Sequence, residues 1–152
     1  MDDKQFKLDL RYLRMAHIWA ENSYCKRRQV GCLVVKDKMI ISDGYNGTPS
    51  GFENVCEDEN NVTHPYVLHA EANAIIAAPR EQMLGATLYL VGRDMSTGEI
   101  MRDANSCTMC KRMIINAGIS QVIIRRDNDT YDTIDVADWV AHDDVLDGQT
   151  GY

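Results

Sequence analysis

A strand–helix–strand pattern in residues 86–125 decides the fold of this chain. Residues 86–91 (ATLYLV) and 121–125 (QVIIR) are short runs rich in β-branched and aromatic residues, which is typical of strands. Between them, residues 107–116 (CTMCKRMIIN) predict a helix, because Ser106 is suited to cap its start and Gly118 lies just past its end. Strands that alternate with helices indicate an α/β layered fold.

The residues upstream extend this alternation. Residues 6–22 carry apolar side chains at helical spacing and predict an amphipathic helix. Two β-rich runs, 29–35 (QVGCLVV) and 40–45 (IISDGY), are joined by a four-residue polar link and predict an antiparallel hairpin. A loop follows from residue 46 to about 66, and loops of that length are usually functional. The Ala-rich run 69–78 predicts a buried helix that ends at a proline.

Two segments extend the pattern downstream, and the length limits the number of domains. Residues 92–105 predict a protruding hairpin, and residues from about 134 to 142 predict a final helix. A chain of 152 residues, at roughly 100–200 residues per domain, predicts one domain over residues 1–152.

Composition and charge exclude several classes of protein. The chain is 45% hydrophobic and 26% charged, so it is neither disordered nor collagen-like. Residues 1–10 alternate charged and apolar residues, and no run of about 18 apolar residues occurs. We therefore expect no signal peptide, no membrane association and a cytoplasmic protein with reduced thiols.

The net charge of -7 argues against a nucleic-acid polymer as partner. However, eight Asp and no Lys or Arg lie in residues 127–152, so residues 1–126 sum to +1 and the argument is weaker than the total suggests.

The strongest functional signal is His69-Ala-Glu71 together with Cys107-Thr-Met-Cys110. A catalytic zinc takes three protein ligands and keeps a fourth position for water, and His69, Cys107 and Cys110 complete that set. The two cysteines lie at i and i+3 of a helix start, where the positive helix end favours thiolates. Glu71 is predicted to be the general acid/base, because H-x-E with P-C-x-x-C is the zinc deaminase signature. Here Ser106 replaces the Pro, and a purely structural zinc site is the alternative.

The chain resembles the deoxycytidylate (dCMP) deaminases of the cytidine deaminase superfamily. The resemblance is carried by residues 27–31 (RRQVG), 41–51 (ISDGYNGTPSG), 65–75 (PYVLHAEANAI) and 107–119. It implies a three-layer α/β/α fold with a central mixed sheet of about five strands. It also implies one catalytic zinc per chain, a homo-oligomer (hexamer or dimer), and conversion of dCMP and water to dUMP and ammonia, which supplies thymidylate synthesis.

The resemblance assigns the sugar of the nucleotide to Asn46, although Asn46-Gly47 is also a favoured turn dipeptide. Arg28 suits a phosphate, and Tyr66 is predicted either to pack on the base or to be ordinary core. The Lys26–Arg28 run is equally well explained as a solvated charge cluster.

Family members are often activated by dCTP and inhibited by dTTP. By resemblance, a regulatory nucleotide with Mg²⁺ would lie near Tyr45, Gly47 and Arg27. Some viral members also hold a second, structural zinc, for which Cys25, Cys56 and His64 are the candidate ligands here. Three ligands fall short of a closed tetrahedral site and Cys is commonly a small buried hydrophobe, so we favour a single zinc.

Two departures from the family pattern concern the substrate. Residues 92–105 form a longer connection than usual beside the metal motif, and the acidic segment from about residue 127 lacks the final strand expected of the family. The alternatives are therefore a deaminase of cytidine, dCTP, guanine or adenosine in tRNA, and a non-catalytic, zinc-stabilised nucleotide-binding protein.

Overall fold

The structure is a computed structural model that describes residues 2–142. The rest of the acidic segment, residues 143–152, lies outside the described residues. The described part contains the following elements, in chain order: α1 (Asp3–Ala20), β1 (Arg28–Lys36), β2 (Met39–Tyr45), α2 (Ala70–Ile76), α3 (Arg80–Met83), β3 (Thr87–Asp94), α4 (Thr108–Ala117), β4 (Gln121–Arg125), β5 (Tyr131–Asp135) and α5 (Val136–His142).

The strands form one five-stranded mixed sheet in the order β2-β1-β3-β4-β5. The pair β3–β4 is parallel, with Leu88 opposite Val122, and the other three pairs are antiparallel. Parallel strands need a crossover connection, and α4 supplies it between β3 and β4. The predicted mixed sheet is confirmed, and its central strands carry the connections that lead to the metal motifs.

Side chains of β1 and β3 alternate between two hydrophobic cores. Leu33 and Tyr89 pack with α1 on one face of the sheet, whereas Cys32 and Leu90 belong to the cluster that includes α2, α4 and α5 on the other. Successive strand residues point to opposite faces, so a strand covered on both sides is apolar throughout. The predicted three-layer α/β/α arrangement is confirmed.

The hairpin of β1 and β2 closes through a turn of two residues. Asp37 and Lys38 both have positive φ, 52° and 63°, and the strands pair up to Lys36 opposite Met39. Positive φ at both central residues is the geometry of the type I′ turn, whose twist matches that of the strands. The predicted hairpin is confirmed, with a shorter link than the four residues expected.

The end of the described chain differs from the sequence prediction. Residues 131–135 (YDTID) form β5, which pairs antiparallel with β4, and the final helix begins at Val136 rather than near 134. The expectation that the final strand is absent was wrong. An edge strand has one neighbour and tolerates polar residues, so β5 lacks an apolar run that would predict it.

Two glycines let helices approach the sheet closely. A Cβ added at Gly44 of β2 would overlap the Ala70 carbonyl oxygen and lie 2.7 Å from the Ala74 nitrogen, both in α2. A Cβ at Gly31 of β1 would meet the backbone of α1 in the same way. The backbone of α2 therefore rests directly on β2.

No helix among residues 2–142 is both long enough and apolar enough to cross a membrane.

Candidate metal centre and substrate pocket

The starts of α2 and α4 bring the three predicted metal ligands together. His69 is the N-terminal cap residue of α2, and its Nδ1 lies 3.4 Å from Sγ of Cys107 and 3.4 Å from Sγ of Cys110. All three ligand atoms lie within 4.8 Å of one another. Cys107, and not Ser106 as predicted, caps α4, because its sulfur accepts the backbone N–H of Cys110 at 3.5 Å.

The spacing of these atoms fits a tetrahedral zinc. Zinc–sulfur bonds of about 2.3 Å and zinc–nitrogen bonds of about 2.0–2.1 Å at the tetrahedral angle place sulfur and nitrogen about 3.5 Å apart. The observed 3.4 Å separations agree with this value. One His and two Cys leave a fourth position open, which is the ligand count of a catalytic zinc rather than of a structural one.

The environment of Cys107 favours the thiolate. Hydrogen bonds from Cys110 and His69 hold the pKa of the Cys107 thiol well below its usual range, while the hydrogen bond with Cys107 and burial raise the pKa of Cys110. These directions favour a thiolate at Cys107 and a protonated thiol at Cys110. Zinc binding removes the remaining proton, because a ligating cysteine is deprotonated.

Glu71 lies in the first turn of α2 and is only 4% exposed. Burial raises the pKa of its carboxyl group. A raised pKa makes it easier for a carboxyl group to take up a proton, which suits a general acid/base. Together with His69 and Cys107, Glu71 lines a cavity of about 320 Å³.

The cavity extends from the metal ligands to a basic side. Its volume falls in the range of small-molecule pockets. The residues that line it come from the α1–β1 connection and β1, the loop before α2, the start of α2, β3 and the connection from β3 to α4: Cys25, Arg27, Arg28, Val30, Asn46, Glu57, Thr63, Val67, His69, Ala70, Glu71, Leu90, Met101, Asp103, Ala104, Asn105 and Cys107.

The side-chain amide of Asn46 spans the backbone of β1 at the edge of this cavity. Its Oδ1 accepts the N–H of Val30 at 2.8 Å, and its Nδ2 donates to the carbonyl of Arg28 at 2.9 Å. Each end of an amide can make a second hydrogen bond, so these contacts orient the group without exhausting it. Arg27 and Arg28 line the cavity too, and Nη1 of Arg27 lies 3.4 Å from Oγ1 of Thr63.

The other predicted substrate and regulatory residues lie outside the cavity lining. The ring of Tyr66 stacks on His64, with ring centroids 4.8 Å apart, and also contacts Phe52. The carbonyl of Tyr45 accepts a hydrogen bond from Asn73 of α2. Gly47 exchanges two backbone hydrogen bonds with Leu68, which ties the loop to the start of α2.

Four consecutive residues, 24 to 27, fasten the α1–β1 connection to the long loop. Tyr24 contacts Thr48, Cys25 forms a disulfide with Cys56, and the backbone N–H groups of Lys26 and Arg27 donate to the carboxylate of Glu57. The expectation that the thiols stay reduced was therefore wrong for this pair. The other three cysteines, Cys32, Cys107 and Cys110, are free thiols.

The candidate ligands for a second metal are not brought together as a set. The disulfide occupies the sulfurs of Cys25 and Cys56, and Glu57, rather than His64, lies within 4.8 Å of them. The side chain of His64 stacks on Tyr66 instead.

Sequence reasoning missed part of the cavity wall. Residues 92–105 fold back along β3, where Ile100 pairs with Arg93 in an isolated antiparallel β-bridge. The segment then runs along the cavity, which is lined by Met101, Ala104 and Asn105. The unusual length of this connection beside Cys107 was the signal available, but it does not identify which residues line the cavity. Glu57 also lines the cavity, and nothing in the sequence around it indicates this.

The chain is similar to proteins of known family. The family model for the cytidine and deoxycytidylate deaminase zinc-binding region matches residues 7–126. A deoxycytidylate deaminase from Mycobacterium phage D29 is 30% identical over 77% of this chain and 93% of its own length. The human deoxycytidylate deaminase is 30% identical over 76% of this chain, which spans only 63% of the human protein.

A solved structure agrees with the sequence relatives. The dCMP deaminase from cyanophage S-TIM5, in complex with dCMP and dUMP, superposes with a TM-score of 0.65 at 34% identity, covering 82% of this chain and 83% of that one. The cytidine deaminase from Burkholderia pseudomallei, at 20% identity and a TM-score of 0.55, shares the fold. From the matched region and the ligand geometry together, we conclude that the chain belongs to the cytidine and deoxycytidylate deaminase family of zinc-binding proteins.

Proposed function

We propose that this protein catalyses the zinc-dependent hydrolytic deamination of dCMP to dUMP and ammonia. The observation that carries the proposal is the buried Glu71 beside the His69, Cys107 and Cys110 cluster, at one end of a nucleotide-sized cavity. The phage and human relatives and the cyanophage structure described above are dCMP deaminases, which supports dCMP as the substrate.

The residues of the chain divide the chemistry between them. Zinc held by His69, Cys107 and Cys110 would supply the Lewis acidity that makes water a nucleophile at neutral pH. Glu71 takes one proton from the attacking water and delivers it to N3 of the ring. It then takes the second proton from the same oxygen, now bonded to C4, and passes it to the amine, which leaves as ammonia when the C4–N bond breaks. Burial raises the pKa of the Glu71 carboxyl group, which favours its protonated form between each uptake and release of a proton.

The basic side of the cavity suits the rest of the nucleotide. Arg28 would bind the 5′ phosphate, since a planar guanidinium matches phosphate oxygens. Asn46, oriented by Val30 and Arg28, would contact the sugar. Tyr66 would reach the base only if its ring left the stack on His64.

Four finer parts complete the proposal. The family resemblance supports a homo-oligomer, and a cytoplasmic location is the expectation from the sequence. The disulfide that occupies the sulfurs of Cys25 and Cys56 supports a single zinc per chain. The resemblance also supports regulation by dCTP and dTTP with Mg²⁺ near Tyr45, Gly47 and Arg27. Equilibrium dialysis with dCTP and dTTP, and zinc per chain by elemental analysis, test the last two directly.

Ultraviolet spectroscopy of the purified zinc-loaded protein tests the main proposal. We expect dCMP to be converted, and Glu71→Gln to abolish turnover while zinc content stays unchanged, because Glu71 is not a ligand. Conversion of cytidine, dCTP or guanine with dCMP left untouched would overturn the assignment of substrate. Loss of zinc from Glu71→Gln would show that Glu71 holds the metal.

A further inference from the structure

We propose that Asn105 binds the nucleotide and that Arg126 is the residue that positions it, so the β3–α4 connection helps to set substrate affinity. The inference rests on the proposed function and adds a substrate contact to it. It concerns residues 92–105, which form part of the cavity wall.

Asn105 lies where a substrate contact is possible. It lines the cavity, and it precedes Cys107 by two residues, so it stands at the metal end. Its side chain is exposed rather than packed in the core. A polar side chain on the wall of a mostly apolar pocket is the usual means of fixing the orientation of a ligand.

Arg126 holds the side chain of Asn105 in one orientation. Its Nη2 donates to Oδ1 of Asn105 at 3.0 Å, its Nη1 donates to the carbonyl of Arg102 at 2.8 Å, and its Nε donates to Asp132 of β5 at 2.8 Å. The Arg126 side chain is 18% exposed. The rigid donor fork of one guanidinium thus joins the cavity wall to the edge strand of the sheet.

This contact settles which way the Asn105 amide faces. Arginine carries donors and no acceptor, so the oxygen of the amide must face Arg126 and the NH₂ group must face away. Within the described residues this NH₂ group makes no hydrogen bond. It therefore offers two donors to acceptor oxygens of a nucleotide, which are found on the phosphate, the sugar and the ring carbonyl.

The wall that carries Asn105 is anchored on its other side as well. The backbone N–H of Met101 donates to the carbonyl of Gly92 at 2.8 Å. Ala104 packs closely on Gly92, since a Cβ added to Gly92 would lie 2.8 Å from the Cβ of Ala104. Among residues 2–142, the Arg102 side chain makes only an ion pair with Asp127, and it is 77% exposed. Exposed ion pairs contribute little, so the Arg102 side chain provides a control.

The test compares Asn105→Ala, Arg126→Ala and Arg102→Ala in the zinc-loaded enzyme. We expect the first two to raise KM for dCMP about 3–10-fold if the acceptor is neutral and about 10–100-fold if it is the phosphate, with kcat and zinc content retained. Arg102→Ala keeps the backbone carbonyl that Arg126 contacts, so its KM should not change. The double variant of Asn105 and Arg126 should be no worse than the more affected single variant, because Arg126 acts through Asn105.

Deoxycytidine, measured as a competitive inhibitor, separates the two sources of the acceptor. If Asn105→Ala weakens the binding of dCMP but not that of deoxycytidine, the contact is to the phosphate. If it weakens the binding of both, the contact is to the sugar or the ring. An unchanged KM for Asn105→Ala overturns the inference, even if the KM of Arg126→Ala is raised. A wild-type protein that leaves dCMP untouched refutes the proposed function instead, so the two failures are distinguishable.

Discussion

Gly44→Ala should separate folding from metal binding. Gly44 lies on β2 against the backbone of α2, the helix that carries His69 and Glu71. The added Cβ would lie 2.7 Å from the Ala74 nitrogen, whereas ordinary contact begins at 3.4 Å. The helix must therefore retreat from the sheet by at least 0.7 Å, the difference between these distances. Backbone atoms cannot rotate out of the way, so α2 moves as a unit.

A displacement of this size matters at the metal centre. His69 lies 3.4 Å from both sulfurs, and a functional metal site holds its ligand distances within about 0.2 Å. We expect zinc affinity to fall about 10–100-fold, the range found when the support of a ligand is removed. Turnover at saturating zinc should fall by about 100-fold, since Glu71 moves with the same helix. Overpacking should also cost about 1–3 kcal/mol of stability.

Gly31→Ala is the matched control. Its Cβ would meet the backbone of α1, lying 2.7 Å from the Ala20 nitrogen, on the opposite face of the sheet. The loss of stability should be similar, but α1 carries no metal ligand, so zinc affinity per folded molecule should be retained.

The assay pairs thermal unfolding with competition for zinc against a chelator of known affinity. Equal loss of zinc in both variants would show that general destabilisation, and not the position of α2, controls metal binding. Wild-type zinc affinity in Gly44→Ala would show that the close approach is unnecessary.

Three other predictions concern separate parts of the molecule. Cys56→Ser should lower the free energy of unfolding by about 3–4 kcal/mol without reductant, because the Cys25–Cys56 disulfide closes a loop of 31 residues. In denaturant unfolding with excess dithiol, the variant and the wild type should be equally stable. Burial, and then the charge of Arg125, lower the pKa of His17 from 6.5, so stability is highest above pH 6.5, where His17 is neutral, and is lost as the pH falls below it. The free energy of unfolding of His17→Asn should depend less on pH below 6.5. The same dependence on pH in the variant and the wild type would contradict this. Chelation of zinc should lower the thermal midpoint and free two thiols to a thiol reagent, whereas a midpoint indifferent to the chelator would mean that the cluster holds no metal in solution.

The metal ligands were predictable because their chemistry is specific. His69, Glu71, Cys107 and Cys110 form a combination of residue types and spacings that few other functions require. The central strands were predictable for a comparable reason, since a strand buried on both faces is a continuous apolar run.

The remaining features depend on contacts between distant segments. Asn105 and Arg126 are 21 positions apart, and nothing near either residue indicates that they meet. Cys25 and Cys56 carry no pairing information in an odd set of five cysteines. The cap of α4 shifted from Ser106 to Cys107 because a sulfur aimed at the metal position also accepts the N–H of Cys110.

The tight turn at Asp37 and Lys38 has a consequence for the order of folding. It makes the β1–β2 hairpin the most local pairing in the sheet, and hairpins of this kind form within about 1–10 μs. His69, by contrast, is separated by 38 and 41 positions from the two cysteines that it meets, and contacts so remote in sequence form slowly. Zinc should therefore load onto a chain whose first strands are already paired. In pulse-labelled hydrogen exchange, the amides of β1 should gain protection at the same rate with and without zinc.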